Sequence, residues 1–166
     1  MKVRAFLGLG SNIGDRSSHL CSAIRSLRAL DSTLAVSRVY ESAPLDAPPG
    51  DAGGGRYLNC VVCFETDLSP HALLALAHSL EDDAGRVRTV PNAARTLDVD
   101  VLLVGDLEVD APDLVVPHPR MASRGFVLAP LEDLDPALVE FGWRERLATT
   151  DPVSLDVRPV GTLACV

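Results

Sequence analysis

The stretch "ARTLDVDVLL", residues 94–103, places two aspartates, Asp98 and Asp100, two apart in a run of Leu and Val, just after Arg95. The apolar run predicts a strand. Buried carboxylates are costly unless they are paired or hold a cation, so this strand needs one face for packing and another for chemistry. Residues i and i+2 of a strand share a face. Asp98 and Asp100 are therefore expected to project in parallel, with Leu97, Val99, Val101 and Leu103 pointing the other way, onto helices.

Working outward from this strand gives the fold. "KVRAFLGLG" reads as a first strand, ending in Gly8 and Gly10. The next segment sets Leu20, Ala23, Ile24 and Leu27 at i, i+3, i+4 and i+7, an amphipathic helix with Asp15 or Ser17 to cap it. "LAVSRVY" alternates and predicts a second strand; "YLNCVVCFET" predicts a third. Between them, residues 41–56 are rich in Pro and Gly and read as a long loop of the kind that serves as a lid. Ser69 as N-cap and Pro70 open a second helix with a stripe of Leu73, Leu76, Ala77 and Leu80, stopped at Gly85. Residues 86–95 form a second loop, and residues 96–106 carry the fourth strand. A short hairpin, a Pro-rich turn and short helices follow. The order β-α-β-β-α-β predicts an α+β, ferredoxin-like antiparallel sheet with helices packed on it, in a single domain over residues 1–166.

Composition narrows the function. The 166 residues are 47% hydrophobic and 23% charged, with a formal net charge of −8, which disfavours broad binding to nucleic acid or to an anionic membrane. The first and third strands also lack the paired aromatics of an RNA-stacking sheet. No apolar stretch reaches the roughly 20 residues that span a bilayer, and the N-terminus reads as a strand rather than a signal peptide. Cys60 and Cys63 have C-x-x-C spacing, but on a strand they face opposite sides, which predicts core thiols. The four cysteines are expected to be reduced, in a cytoplasmic protein.

Arginines surround the acidic pair in sequence: Arg86, Arg88 and Arg95 before it, and His118, Arg120 and Arg124 after it in "PHPRMASRG". Guanidinium groups bind phosphate through planar, paired donors, and magnesium is commonly held by one or two carboxylates plus substrate phosphates. A bare D-x-D also fits two carboxylates on a solvated face. With basic loops on both sides, the pattern points to a magnesium–nucleotide site. The usual P-loop is absent, and "GLGSN" lacks a full dinucleotide fingerprint.

Taken in order and spacing, "FLGLGSNIGDR", "YLNCVV", "GRVR", "RTLDVDVLL", "VPHPRM" and "RGFVLAPLEDLDP" resemble the 6-hydroxymethyl-7,8-dihydropterin pyrophosphokinase family, over about residues 3–137. The resemblance implies ATP as co-substrate, two magnesium ions, and transfer of pyrophosphate to the pterin hydroxymethyl group with release of AMP, in folate synthesis. Matched by position, Asp98 and Asp100 resemble the family's metal ligands, with Asp100 also a candidate acceptor for the hydroxyl proton. Arg86 and Arg95 join them as catalytic candidates, His118 and Arg124 as contacts to the ATP phosphates, and Arg88 as the mobile-loop arginine among those contacts. Tyr57, Asn59 and Phe126, with Ser42, Ala43 and Leu45, resemble the pterin pocket. A flat polar heterocycle suits an aromatic such as Phe126 and an amide such as Asn59, which both donates and accepts. The chain departs from the family at "PNAA", Pro91–Ala94, where an Arg-Trp-Gly-Pro-like stretch is usual, so the closing loop loses an aromatic and a cation. A metal-dependent nucleotide phosphohydrolase and a pterin- or nucleotide-binding relative with weakened activity are the alternatives. A monomer is expected. The tail from residue 150 to 166 lies beyond the resemblance.

Overall fold

A computed structural model describes residues 2–45, 54–86 and 94–165. Half of the first long loop, Arg88 and residues 91–93 of the "PNAA" departure lie outside the described residues. Eight strands and four α-helices are present among those described: β1 (Val3–Ser11), α1 (Arg16–Arg28), β2 (Ala35–Val36), β3 (Val39–Ser42), β4 (Tyr57–Thr66), α2 (Pro70–Asp83), β5 (Asp98–Val104), β6 (Val109–Ala111), β7 (Leu114–Val116), α3 (Gly125–Leu134), α4 (Trp143–Thr150) and β8 (Val157–Gly161). The main sheet runs β5-β1-β4-β3-β8, with β2 also on β4, and every pairing is antiparallel. β6 and β7 form the separate hairpin.

Both early helices start where their side chains cap them. Asp15 accepts the Ser18 N–H at 3.0 Å, and Ser69 accepts the Ala72 N–H at 3.2 Å. Gly85 stops α2 with φ of +69°. Leu20, Ile24 and Leu27 of α1 and Leu73, Ala77 and Leu80 of α2 pack on one face of the sheet, against Leu7, Leu9, Cys60, Val62, Val99 and Val101. The opposite face is only partly covered. There α3 sets Val127 and Leu131 against Phe6, Val61, Cys63 and Leu102, and α4 packs Trp143 and Leu147 with Tyr40 and Leu128. The uncovered part of that face is the site.

Three expectations need correction. "LAVSRVY" is two short strands, because buried Ser37 replaces the regular ladder: its hydroxyl accepts the Val61 N–H at 2.9 Å and donates to the Arg38 carbonyl at 2.7 Å. Leu103 lies with the second-face cluster rather than under α1 and α2, because the β1–β5 register shifts between Phe6 and Leu7 and breaks the alternation. The reduced-thiol expectation fails for Cys21 and Cys165, which form a disulfide with Cα atoms 5.7 Å apart. Cys60 and Cys63 are free, buried and on opposite faces as their spacing predicts, and burial pushes the Cys60 thiol up to about 12. The tail is ordered structure: β8 adds an edge strand to β3.

Ser37→Ala leaves the buried Val61 N–H without its acceptor and is expected to cost about 1–3 kcal/mol, read as a lower urea midpoint. Ser37→Thr retains the hydroxyl and should lose less.

Candidate active site

The site is built on the second face, across β5, β1 and β4. Gly8 pairs with Asp100 on one side and Val61 on the other; Gly10 pairs with Asp98 and Asn59. All six point to the same face, and the two glycines contribute no side chain. The result is a trough, with the carboxylates along one bank and Asn59 on the other. A Cβ added to Gly10 would come 3.3 Å from Asn59 Oδ1 and 3.5 Å from the Tyr57 ring, narrowing the trough. This is what the "GLG" spacing encodes.

The hollow above it is lined by Ser42, Ala43 and Leu45 beyond β3, Tyr57 and Asn59 on β4, Arg95, Asp98 and Asp100, and Arg124 and Phe126 at the start of α3. Sequence reasoning grouped all ten. Asn59 is buried, and its Nδ2 donates to the Tyr40 carbonyl at 3.3 Å and to Ser42 Oγ at 3.0 Å. Those two bonds fix the amide and turn Oδ1 toward the trough, as an acceptor. Arg124 sits over the Phe126 ring at 5.4 Å, so one short segment joins the basic and aromatic parts of the hollow.

The two aspartates have different surroundings. Asp98 accepts from Arg86 Nη1 at 2.8 Å and from Arg95 Nη1 at 2.6 Å, one guanidinium on each oxygen. Among the described residues Asp100 has only longer charged contacts, to Arg124 Nη1 at 3.6 Å and His118 Nε2 at 3.9 Å. Burial, reinforced by the neighbouring charge of Asp98, raises the Asp100 carboxyl above the usual range. Burial lowers His118, which favours the neutral imidazole. The Arg120 N–H donates to His118 Nδ1 at 3.2 Å, which leaves the proton on Nε2, toward Asp100. Among the described residues no group of three or more His, Cys, Asp or Glu side chains is arranged for a metal. A divalent ion here would take Asp98 and Asp100 and need its remaining oxygens from a ligand or water. The raised Asp100 carboxyl, held beside a second carboxylate, fits that donor set: a cation between them would offset both the burial and the repulsion that raise it.

His118 and Arg86 lie behind the hollow rather than in its lining. Arg86 is anchored by Glu81, which is 2% exposed and also accepts the Val99 N–H at 2.9 Å. Sequence reading passed over Glu81, although a carboxylate eight residues after Leu73 falls on the apolar stripe of α2 and so had a signal. Asn12 was missed as well. Its Oδ1 accepts the Arg95 N–H at 2.7 Å and its Nδ2 donates to the Gly55 carbonyl at 3.2 Å, tying the ends of both long loops to β1. Arg120, Ser123, Asp151 and Ser154 also line the hollow. The last two come from the tail, where no sequence signal pointed to them.

Glu81→Ala should cost about 1.5–3 kcal/mol, the range for a hydrogen bond to a charged group, measured by chemical unfolding. Glu81→Gln keeps an acceptor for Val99 and should cost less.

Known proteins resemble this chain. The family model described as 7,8-dihydro-6-hydroxymethylpterin-pyrophosphokinase matches residues 6–136. A 2-amino-4-hydroxy-6-hydroxymethyldihydropteridine pyrophosphokinase of Methylorubrum extorquens is 41% identical over 157 residues, covering 93% of this chain and 98% of that protein. The protein of the same description from Bacillus subtilis is 40% identical over 132 residues, 78% and 77% of the two chains. Among solved structures, wild-type Plasmodium falciparum HPPK-DHPS is similar with a TM-score of 0.61 at 13% identity, a likeness of fold alone. The similarity covers 96% of this chain and 48% of that one. With its trough, acidic pair and "YLN" and "RGF" segments in one hollow, the chain belongs to the 7,8-dihydro-6-hydroxymethylpterin-pyrophosphokinase family.

Proposed function

We propose that this chain transfers the terminal pyrophosphoryl group of ATP to the hydroxymethyl oxygen of 6-hydroxymethyl-7,8-dihydropterin, giving AMP and the pterin diphosphate in folate biosynthesis. The observation that carries this reading is the lining of one hollow by Asp98 and Asp100 together with Tyr57, Asn59 and Phe126. The aromatic side chains offer faces to a flat ring, and the fixed Asn59 Oδ1 offers an acceptor to its amino edge. Arg95, Arg120 and Arg124 line the same hollow and suit the phosphates. His118 adds a neutral N–H behind Asp100. Arg88, in the segment 87–93, is assigned to the phosphates by resemblance alone.

Asp98 and Asp100 are the residues that would hold magnesium, two ions by the family pattern. When bound, the metal neutralises phosphate charge and orients the transferred group. The residues of this chain then hold the pterin hydroxyl in line with the β-phosphorus and exclude water, so positioning and charge stabilisation do most of the work. Asp100 has no guanidinium within hydrogen-bond distance among the described residues, and we assign it the hydroxyl proton. The sheet order β5-β1-β4-β3 supports a ferredoxin-like reading of the fold, with β8 as an added edge. We read the chain as one domain acting as a monomer in the cytoplasm, where ATP is available.

Incubation with ATP, magnesium and the dihydropterin should yield AMP only when the pterin is present. Asp98→Ala and Asp100→Ala should each lower the rate about a hundredfold or more, and a chelator should stop it. ADP or free phosphate released without pterin would overturn the assignment in favour of a hydrolase.

A further inference from the structure

One wall of the substrate hollow comes from outside the family match. The match ends at residue 136, yet Asp151 and Ser154 line the hollow. Ser154 is 2% exposed, and its hydroxyl donates to Asp151 Oδ2 at 2.6 Å. Its backbone carbonyl lies so close to Gly125 that an added Cβ there would sit 2.1 Å from the oxygen, an approach open only to glycine. Gly125 stands between Arg124, which faces Asp100, and Phe126, which lines the proposed pterin end. Contact at Gly125 therefore sets the position of both neighbours.

Beyond Val157 the segment that carries this wall has little packing of its own. β8 is an edge strand paired to β3 alone, four of its five residues are exposed, and Pro159 brings no N–H to the ladder. Leu155 and Val157 pack against the Tyr40–Trp143 cluster, and the tethers beyond them are few among the described residues. Arg56 grips Asp156 with bonds of 2.7 and 3.0 Å, Leu163 reaches the core, Arg28 donates to the Cys165 carbonyl at 2.9 Å, and Cys165 is bonded to Cys21 of α1. Segments with few buried contacts open locally at low cost. A covalent bond at the far end holds an opened segment near its docking place and raises its effective concentration there.

We infer that residues 151–165 form a wall of the pterin end of the site and that the Cys21–Cys165 disulfide latches it. Asp151 and Ser154 are positioning residues acting through Gly125, and the redox state of the cysteine pair sets pterin affinity rather than the chemical step. The inference rests on the pterin reading above. The latch opens when a dithiol reductant supplies two electrons and two protons: the Sγ–Sγ bond breaks, two cysteine thiols form, and the dithiol becomes its own disulfide. A disulfide oxidant reverses the exchange. Cys165 is half-buried, which gives the reductant access.

The test compares three full-length forms: oxidised wild type, wild type reduced with dithiothreitol, and Cys21→Ser/Cys165→Ser. Denatured without reductant, the oxidised chain should show two free thiols, Cys60 and Cys63. Reduction and the double variant should each raise the pterin KM about fivefold or more, while kcat and the MgATP KM change little. Dithiothreitol should have no further effect on the double variant. Amides 157–161 should exchange hydrogen faster in both forms that lack the disulfide. A pterin KM equal in all three forms, or four free thiols in the oxidised preparation, overturns the latch. If no form makes AMP from the pterin, the substrate reading is what fails. Hydrogen exchange then decides the latch alone: faster exchange supports it and unchanged exchange overturns it.

Discussion

Repulsion between two carboxylates on one face of a mostly buried strand is the constraint around which this protein is arranged. Asp98 is neutralised from both sides by Arg86 and Arg95. Asp100 is left half-buried beside it, with its nearest cation among the described residues at 3.6 Å. A half-buried acidic pair of this kind is costly unless further positive charge arrives with a ligand. The surrounding structure maintains the arrangement: Glu81 locks Arg86 and the Val99 N–H, Asn12 locks the Arg95 backbone, and the glycines of β1 keep the space open. A strand built only for packing would place an apolar residue at each of these positions.

Much of this was legible because strands and helices impose simple periods. The i, i+2 rule put Asp98 with Asp100 and Tyr57 with Asn59, and antiparallel pairing then brought the two pairs to opposite banks of one trough. The caps at Asp15 and Ser69 and the stop at Gly85 follow from local chemistry. What was not legible depends on long-range contact. The break at Ser37 arises because its hydroxyl bonds Val61, 24 residues away. The fate of Leu103 depends on a register shift against β1, which no period within β5 encodes. The disulfide joins positions 144 apart in the sequence, and the tail that carries it has no pattern resembling the family core.

Glu81 and Asn12 illustrate a different limit. Neither lines the hollow: Asn12 holds Arg95, which does, and Glu81 holds Arg86, which grips Asp98 from behind it. A search for residues able to touch substrate finds arginines and carboxylates and passes over the groups that aim them. Glu81 did leave a trace, as a charge on an apolar helical stripe, where an unpaired carboxylate would be destabilising. Asn12 left none, since an asparagine after a strand is an ordinary turn residue.

The global charge of −8 and the proposed binding of a polyanion are compatible because the relevant field is local. Arg95, Arg120 and Arg124 line the hollow and Arg86 stands behind it, against two aspartates along one bank and Asp151 elsewhere in the lining. The cations of the lining are where ligand oxygens would be met. The acidic bank is where an anion alone would be repelled. Such a layout would discriminate against a free polyphosphate and in favour of one that brings metal ions, since a metal would convert the acidic bank from a repulsive surface into a coordinating one. On the proposed reading, Asp98 and Asp100 are thus the reason the nucleotide would arrive as a metal complex.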